Sequence, residues 1–395
     1  MDALLLCCAV LALASRGSAQ VSPGYDTTTE TTHRRHDRAA DDWLGASVRD
    51  DSARTLHLAS RNIQRVPRAA FRNTPNVFSI NLDGNNISDI DVDAFEGMLK
   101  LWSLYLENND ISSLPEGVFS PVPGIEYLFL SGNRIAELSP GHFAGLPRLW
   151  TLEVNNNRVQ LQLHNRTFAN LPHLWWISLS SSNIRTLPRD VFTNSTNLYV
   201  MYLNNNKIEE LDNAIFYGLT ELIELHLSGN RLQTLQPSVF DELRSLWFLD
   251  LSYNRINYLL DENMYFRWSP KVDLTNNMIQ YFDPHVYNNY QQVPTFILNN
   301  NSYHCCSLLS FIRKYSNKDI WLPRLEIDGA TCAAPTHLRG TGLSQLSEDF
   351  LSDCDTTPTS SIPSPVTLRS PLRDIYFIYL FISYIGKLTD FTSYS

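Results

Sequence analysis

The sequence predicts an α/β solenoid, in which short coils stack and each coil contributes one strand to a shared sheet. A unit of about 24 residues recurs over about 240 residues in the middle of the chain. Each unit carries two apolar residues separated by one residue, which is the period of a strand with one buried face. An asparagine follows three residues later in most units. Because one coil cannot bury its apolar face alone, neighbouring coils must stack.

The N-terminal part of the chain is expected to lie outside the solenoid. Residues 1–19 are typical of a secretory signal peptide, with a short apolar stretch followed by small residues, although a buried helix is the alternative. Residues 20–52 follow as a flexible segment and a cysteine-free N-terminal cap. The basic run 33–36 is interpreted as a solvated tail rather than a metal or heparin site, since no cysteine or acidic ligand set surrounds it.

Residues 53–301 contain about eleven units, and most are spaced by 24 residues. The spacing is 25 residues after Leu152 and 23 residues after Leu249. The first inward apolar residues of the units are Leu56, Ile80, Leu104, Leu128, Leu152, Ile177, Met201, Leu225, Leu249, Val272 and Phe296. Farther along each unit comes a phenylalanine that we expect to fill the core on the other side of the coil, as at Phe119, Phe143, Phe192 and Phe240.

The asparagines are expected to form a ladder between coils. An asparagine amide both donates and accepts, so it can satisfy backbone groups that a tight coil would otherwise bury unpaired. The predicted ladder consists of Asn85, Asn109, Asn133, Asn157, Asn206, Asn230, Asn254, Asn277 and Asn301. Arg61 and Ser182 occupy this position in the two remaining coils. We expect the shorter Ser182 side chain to require a water or a local shift.

Residues 302–354 contain the four cysteines that remain after signal cleavage. Disulfides are the natural interpretation in an exported chain, and four cysteines allow three pairings. Residues 355–374 are rich in Ser, Thr and Pro, like a glycosylated stalk. The tail 375–395 has an apolar stretch too short to span a bilayer, so a lipid-anchor signal, an incomplete membrane segment and an adhesive tail stay open. The sequence also carries the N-glycosylation acceptors Asn86, Asn165, Asn194 and Asn300.

The motif Leu-x-x-Leu-x-Leu-x-x-Asn, together with the cysteine-rich segment, resembles the extracellular leucine-rich repeat family over roughly residues 53–354. Variable lymphocyte receptors, Toll-like receptor ectodomains and neuronal leucine-rich repeat receptors are of this type. The resemblance implies a curved solenoid with a parallel sheet on its concave face and an irregular or 3-10 convex side. It also implies a disulfide-bonded C-terminal cap, with Cys305 paired to Cys332 and Cys306 to Cys354.

The N-terminal side departs from the family, because residues 20–55 contain no cysteine. We expect residues 43–52 to pack on the first coil without disulfides; the alternatives are a poorly protected end or one that a partner covers.

The residues that flank the inward apolar positions point away from the core and form columns across the sheet. These columns are rich in aromatic residues, which predicts a ligand-binding face because exposed rings are costly and aromatic residues dominate interface hot spots. The predicted ligand-binding residues are Trp102, Tyr105, Tyr127, Phe129, Trp150, Trp175, Trp176, Tyr199, Tyr202, Trp247 and Phe248. In the alternative interpretation the rings only stack on one another. The acidic residues among them are Glu107, Glu126, Glu153, Glu224, Asp250 and Asp273.

Composition and motifs exclude several classes of function. The formal net charge is −10, which argues against a nucleic-acid partner. The sequence shows no phosphate loop, zinc-type spacing or nucleophile elbow, so we expect no enzyme activity, catalytic residue, metal or cofactor. The leading hypothesis is a secreted or cell-surface recognition protein, in innate immunity or cell–cell recognition, that binds an extracellular protein or alternatively a glycan. It could act with a co-receptor. A structural component of the extracellular matrix is the second hypothesis.

Overall fold

A computed structural model of the chain describes residues 54–236, 238–259, 270–282, 295–306, 325–326, 330–346 and 354. The predictions for the signal peptide, the N-terminal segment with its cap, the stalk and the C-terminal tail therefore lie outside the described residues. Within the described part, no helix is both long and apolar enough to cross a membrane.

Short strands recur once or twice in each coil. In chain order they are β1 (Thr55–His57), β2 (Arg65–Val66), β3 (Ser79–Asn81), β4 (Asp89–Ile90), β5 (Ser103–Tyr105), β6 (Tyr127–Phe129), β7 (Glu137–Leu138), β8 (Thr151–Glu153), β9 (Gln162–Leu163), β10 (Trp176–Ser178), β11 (Val200–Tyr202), β12 (Glu224–His226), β13 (Phe248–Asp250), β14 (Tyr258–Leu259), β15 (Lys271–Asp273), β16 (Tyr281–Phe282), β17 (Thr295–Ile297), β18 (Tyr303–His304), β19 (Leu325–Glu326) and β20 (Cys332–Ala334). In the part of the chain that the structure describes, 3-10 turns lie at Pro140–Phe143, Thr336–Leu338 and Leu343–Gln345.

Twelve of these strands form one parallel sheet in the order β1-β3-β5-β6-β8-β10-β11-β12-β13-β15-β17-β19. The register places equivalent repeat positions side by side, as for Leu104 opposite Leu128 and Ile177 opposite Met201. Two-residue strands elsewhere in the coils pair into small ladders, such as β2 with β4. The predicted solenoid with a parallel sheet is confirmed.

A single hydrophobic core runs through the stacked coils and into the C-terminal segment. The inward strand residues and the predicted phenylalanines are buried, and the phenylalanines pack on one another between coils. The rings of Phe168 and Phe192, for example, stack with their centroids 5.6 Å apart. Tyr303 and Cys305 belong to the same core, so the last coil does not leave its apolar side open.

The asparagine ladder has the predicted geometry. Asn133 Nδ2 donates to the carbonyl of Leu106 in the preceding coil at 2.9 Å and to that of Leu130 in its own coil at 2.8 Å. Its Oδ1 accepts from the amide of Ile111 at 3.1 Å. One buried side chain thus satisfies three backbone groups in two coils, which is why losing such a residue is costly.

Ser182 solves the same problem with a local shift. Its hydroxyl donates to the carbonyl of Val154 at 2.8 Å, which replaces the bond to the preceding coil that asparagine makes elsewhere. The amide of Leu161 donates to the backbone carbonyl of Ser182 at 3.0 Å instead of to a side-chain oxygen. The extra residue in the preceding coil gives the backbone the length for this contact, and Ser182 hydrogen-bonds to protein atoms directly.

The C-terminal segment contains two disulfides, Cys305–Cys332 and Cys306–Cys354, which is the pairing that the family resemblance implies. Strand β18 pairs with β20 beside the first of them. The hydroxyl of the buried Tyr303 donates to the carbonyl of Leu298, so the segment is bonded to the last repeat as well as packed on it.

Candidate recognition face

The candidate site is the outward surface of the main sheet, which we call the sheet face. It consists of the first and third residues of each main strand, the residue before the strand and the second residue after it. Strand periodicity sends the central residue of each strand into the core, as for Leu128 in β6, and leaves its neighbours on the outer side. The predicted aromatic residues all belong to this face.

The residues before the strands form an outer ring ladder along one edge of the sheet face. Its stacked members are Trp150 on Trp175 at 4.9 Å and Trp175 on Tyr199 at 4.8 Å between ring centroids. Tyr127 joins the ladder edge-on, at 6.1 Å from Trp102 and 5.8 Å from Trp150. The rings therefore do stack on one another, as the alternative interpretation expected, and they remain only partly buried.

A second row, the inner ring ladder, follows the strands themselves. Tyr105 stacks on Phe129 with their centroids 4.8 Å apart and their planes 10° apart. Farther along, Trp176 packs on Tyr202 at 5.1 Å.

His226 extends the part of the inner ring ladder that Trp176 and Tyr202 form. It stacks on Tyr202 at 4.3 Å and meets Phe248 edge-on at 5.4 Å. Sequence reasoning missed this role, although the signal was present, since His226 occupies the same strand position as Tyr202 one coil earlier.

Exposure differs along the ladders. Trp102 is 49% exposed and Trp247 is 70% exposed, so these two rings are the least covered of the predicted aromatic residues. Trp176 is partly buried, and its Nε1 is buried without a hydrogen-bond partner among the residues that the structure describes. A buried donor without a partner costs free energy.

Carboxylates lie beside the first part of the inner ladder. Asp83, Glu107 and Glu153 are partly buried and have no Lys or Arg within ion-pair distance among the described residues. Burial, reinforced by the charges of Asp83 and Glu153, raises the pKa of Glu107 to about 7, although a hydrogen bond with Ser131 opposes the shift. Burial also raises the pKa of Glu153 above its usual value.

A second set of charges surrounds His226. Its Nε2 lies 3.4 Å from Glu224 Oε2, and its Nδ1 lies 3.9 Å from Asp250 Oδ2. Burial acts to lower the pKa of His226, but the hydrogen bonds and charges of Asp250 and Glu224 outweigh it and raise the pKa. Burial acts to raise the pKa of Asp250, but hydrogen bonds from His226, Ser252 and Ser228 lower it. In this part of the sheet face the charges of His226, Glu224 and Asp250 therefore compensate one another.

The remaining predicted sites can be placed as follows. Among the described residues, no group of three or more His, Cys, Asp or Glu side chains is arranged to hold a metal ion. The four glycosylation acceptors are exposed and lie outside the strands of the main sheet: Asn86, Asn165, Asn194 and Asn300. Glycans on them would not grow from the sheet face. Ligand binding and glycosylation stay predictions at this point, as does the expectation that no nucleic acid binds.

Comparison with known proteins gives a family match. The family model for leucine rich repeats matches residues 51–111, 103–159 and 196–256. No curated protein gives a significant match.

Comparison with solved structures gives further matches. A chain from the octameric complex of Latrophilin 3, Unc5D and the leucine-rich repeat part of FLRT2 is 20% identical, with a TM-score of 0.58 over 78% of this chain and 99% of that chain. A chain of the Drosophila Toll–Spatzle complex is 20% identical, with a TM-score of 0.46 over 73% of this chain and 50% of that chain. An internalin from Listeria monocytogenes is 24% identical, with a TM-score of 0.48 over 64% of this chain and 69% of that chain.

The matched repeats, the sheet register and the asparagine ladder agree with one another. Together they show that the chain contains leucine-rich repeats and folds as a leucine-rich repeat solenoid.

Proposed function

We propose that this protein is an extracellular recognition protein that binds a protein ligand on its sheet face. The observation that carries the proposal is the pair of ring ladders. They place aromatic side chains on neighbouring coils, and these side chains stay partly exposed. Contiguous aromatic surface of this kind is costly in an isolated protein and is typical of interfaces. The chain of similar fold comes from an octameric complex of Latrophilin 3, Unc5D and FLRT2, which supports a role in binding other proteins.

The stacking geometry favours a protein ligand over a glycan. Apolar C–H faces of sugars pack on the faces of aromatic rings, where the ring quadrupole is negative. Trp175 is stacked between Trp150 and Tyr199, so both of its faces are covered and mainly its edge points outward. Ring edges, the indole N–H and the phenol O–H suit the apolar and polar groups of a protein surface.

A mutational comparison tests the proposal. The full-length protein is screened against a panel of extracellular proteins, and each hit is measured again with the double variant Trp176→Ala/Tyr202→Ala. We expect the affinity to fall by at least about 100-fold, since hot-spot rings contribute about 2 kcal/mol or more each. The control is Tyr217→Ala/Tyr253→Ala, because these rings are 72% and 65% exposed but lie outside the strands of the sheet.

Circular dichroism and thermal unfolding show whether both double variants keep the fold. Equal binding by the sheet-face variant and the wild type would refute the assignment of the face. Light scattering separates recognition from matrix assembly: a stable monomer that binds a soluble partner supports the proposal, and concentration-dependent polymers of the protein alone oppose it.

A further inference from the structure

The inner ring ladder is interrupted in its middle. The third residues of the neighbouring strands β5, β6, β8, β10 and β11 are, in that order, Tyr105, Phe129, Glu153, Ser178 and Tyr202. Phe129 packs on Tyr105 on one side, whereas on the other side its strand neighbour is a carboxylate and not a ring. The interruption at Glu153 and Ser178, which we call the ladder gap, leaves one face of the Phe129 ring uncovered by another aromatic side chain among the described residues.

Hydrogen bonds fix the carboxylate in the ladder gap. The hydroxyl of Ser178 donates to Asn155 Oδ1 at 2.6 Å, and Asn155 Nδ2 donates to Glu153 Oε2 at 3.3 Å. This chain orients the Glu153 carboxylate before any ligand arrives. Preorganised acceptors bind more tightly because less side-chain freedom is lost on binding.

The charges near the gap differ from those elsewhere on the protein. Several acidic side chains away from the sheet face are paired with arginine, for example Asp89 with Arg65 at 2.8 Å and Asp110 with Arg134 at 3.0 Å. Strands β3, β5, β6 and β8, with their flanking positions on the sheet face, contain no Lys or Arg. The resulting negative potential is uncompensated and selects a cationic partner.

The sheet face already shows how a guanidinium fits an aromatic ring. The Cζ atom of Arg54 lies 6.0 Å from the centroid of Phe78, within the range of a cation–π contact. Arginine suits the ladder gap better than lysine, because its planar group can stack on a ring and pair with a carboxylate at the same time.

We propose that the ladder gap binds an arginine side chain of the protein ligand, with its guanidinium stacked on Phe129 and paired with Glu153 and Glu107. This inference rests on the proposed function and adds the chemistry of the partner. The raised pKa of both carboxylates supports it, because an arriving cation would stabilise the charged forms that burial now disfavours.

The test uses the full-length protein, a hexa-arginine peptide and the matching citrulline peptide, with binding measured by calorimetry. We expect hexa-arginine to bind and the citrulline peptide, which has the same shape without charge, to show no binding. Glu153→Gln should weaken hexa-arginine binding by about tenfold, as expected for loss of a charge-assisted pair. Phe129→Leu should weaken it about threefold and should affect a hexa-lysine peptide less.

The matched control is Glu210→Gln, which removes the same charge from an exposed position outside the strands. If Glu153→Gln and Glu210→Gln weakened hexa-arginine binding equally, the binding would reflect only general electrostatic attraction, and the inference would be overturned. An unchanged affinity of Phe129→Leu for hexa-arginine would overturn it as well. The two proposals fail separately. If Trp176→Ala/Tyr202→Ala abolishes binding of a protein partner while Glu153→Gln leaves it unchanged, the recognition face stands and the arginine site does not.

Discussion

At the scale of single residues, three glycines in equivalent turns differ in how much space surrounds the position of an added Cβ atom. Gly97, Gly145 and Gly218 each lie two residues after a core phenylalanine and have φ values of +89°, +85° and +82°. A Cβ atom at Gly145 would lie 2.8 Å from the Cα of Ser120, whereas at Gly97 and Gly218 it would meet nothing within 4 Å. Gly97→Ala and Gly218→Ala should each cost about 1 kcal/mol for the left-handed backbone.

Gly145→Ala should cost about 2–4 kcal/mol, because the clash with backbone is added to the same backbone strain. Urea unfolding of the three variants measures the difference, and equal losses would show that the turns of neighbouring coils can separate freely. The sequence reveals the recurring glycine but not the close approach, which depends on how adjacent coils stack. The hydrogen bonds of Ser182 could not be predicted from the sequence for the same reason, since they depend on the path of the longer coil before it.

At the scale of the strands, the carboxylates on the sheet face link stability to pH. Native Glu107 has a pKa of about 7 against an ordinary value of 4.5, so between these values the folded protein holds a proton that the unfolded chain has lost. The free energy of unfolding therefore falls as pH rises through this range. Glu107→Gln should raise it by about 1 kcal/mol at pH 8, after allowance for solvent screening, and by a much smaller amount at pH 5.

Urea unfolding at the two pH values checks this prediction, with Glu210→Gln as the control for loss of one charge. A gain at pH 5 as large as that at pH 8 would contradict it. The sequence predicted the strands and the aromatic columns because both follow from a two-residue period. It did not predict the ladder gap or the ring contacts of His226, since these depend on the lateral register of neighbouring coils and on side-chain directions.

At the scale of the whole molecule, the repeat period alone predicts the solenoid, because stacking is the one arrangement that buries every coil. The continuity of the core into the C-terminal segment required the structure, and it has a consequence for stability. In a solenoid each coil is stabilised mainly by its neighbours, so a destabilising change at one end lowers the stability of the nearest coils most. The cap and the last repeat share one core, with Cys305 and Cys332 both buried in it.

The double variant Cys305→Ala/Cys332→Ala should therefore destabilise the end of the solenoid. The bridge joins residues 27 positions apart, so its loss should cost about 3–4 kcal/mol in the chain-entropy account. Native-state hydrogen exchange should show the largest loss of protection in β17, a smaller loss in β13 and none in β3. If the cap were instead an independent unit, exchange would accelerate in β18 and β20 while β17 kept its protection, and that result would separate the cap from the core of the repeats.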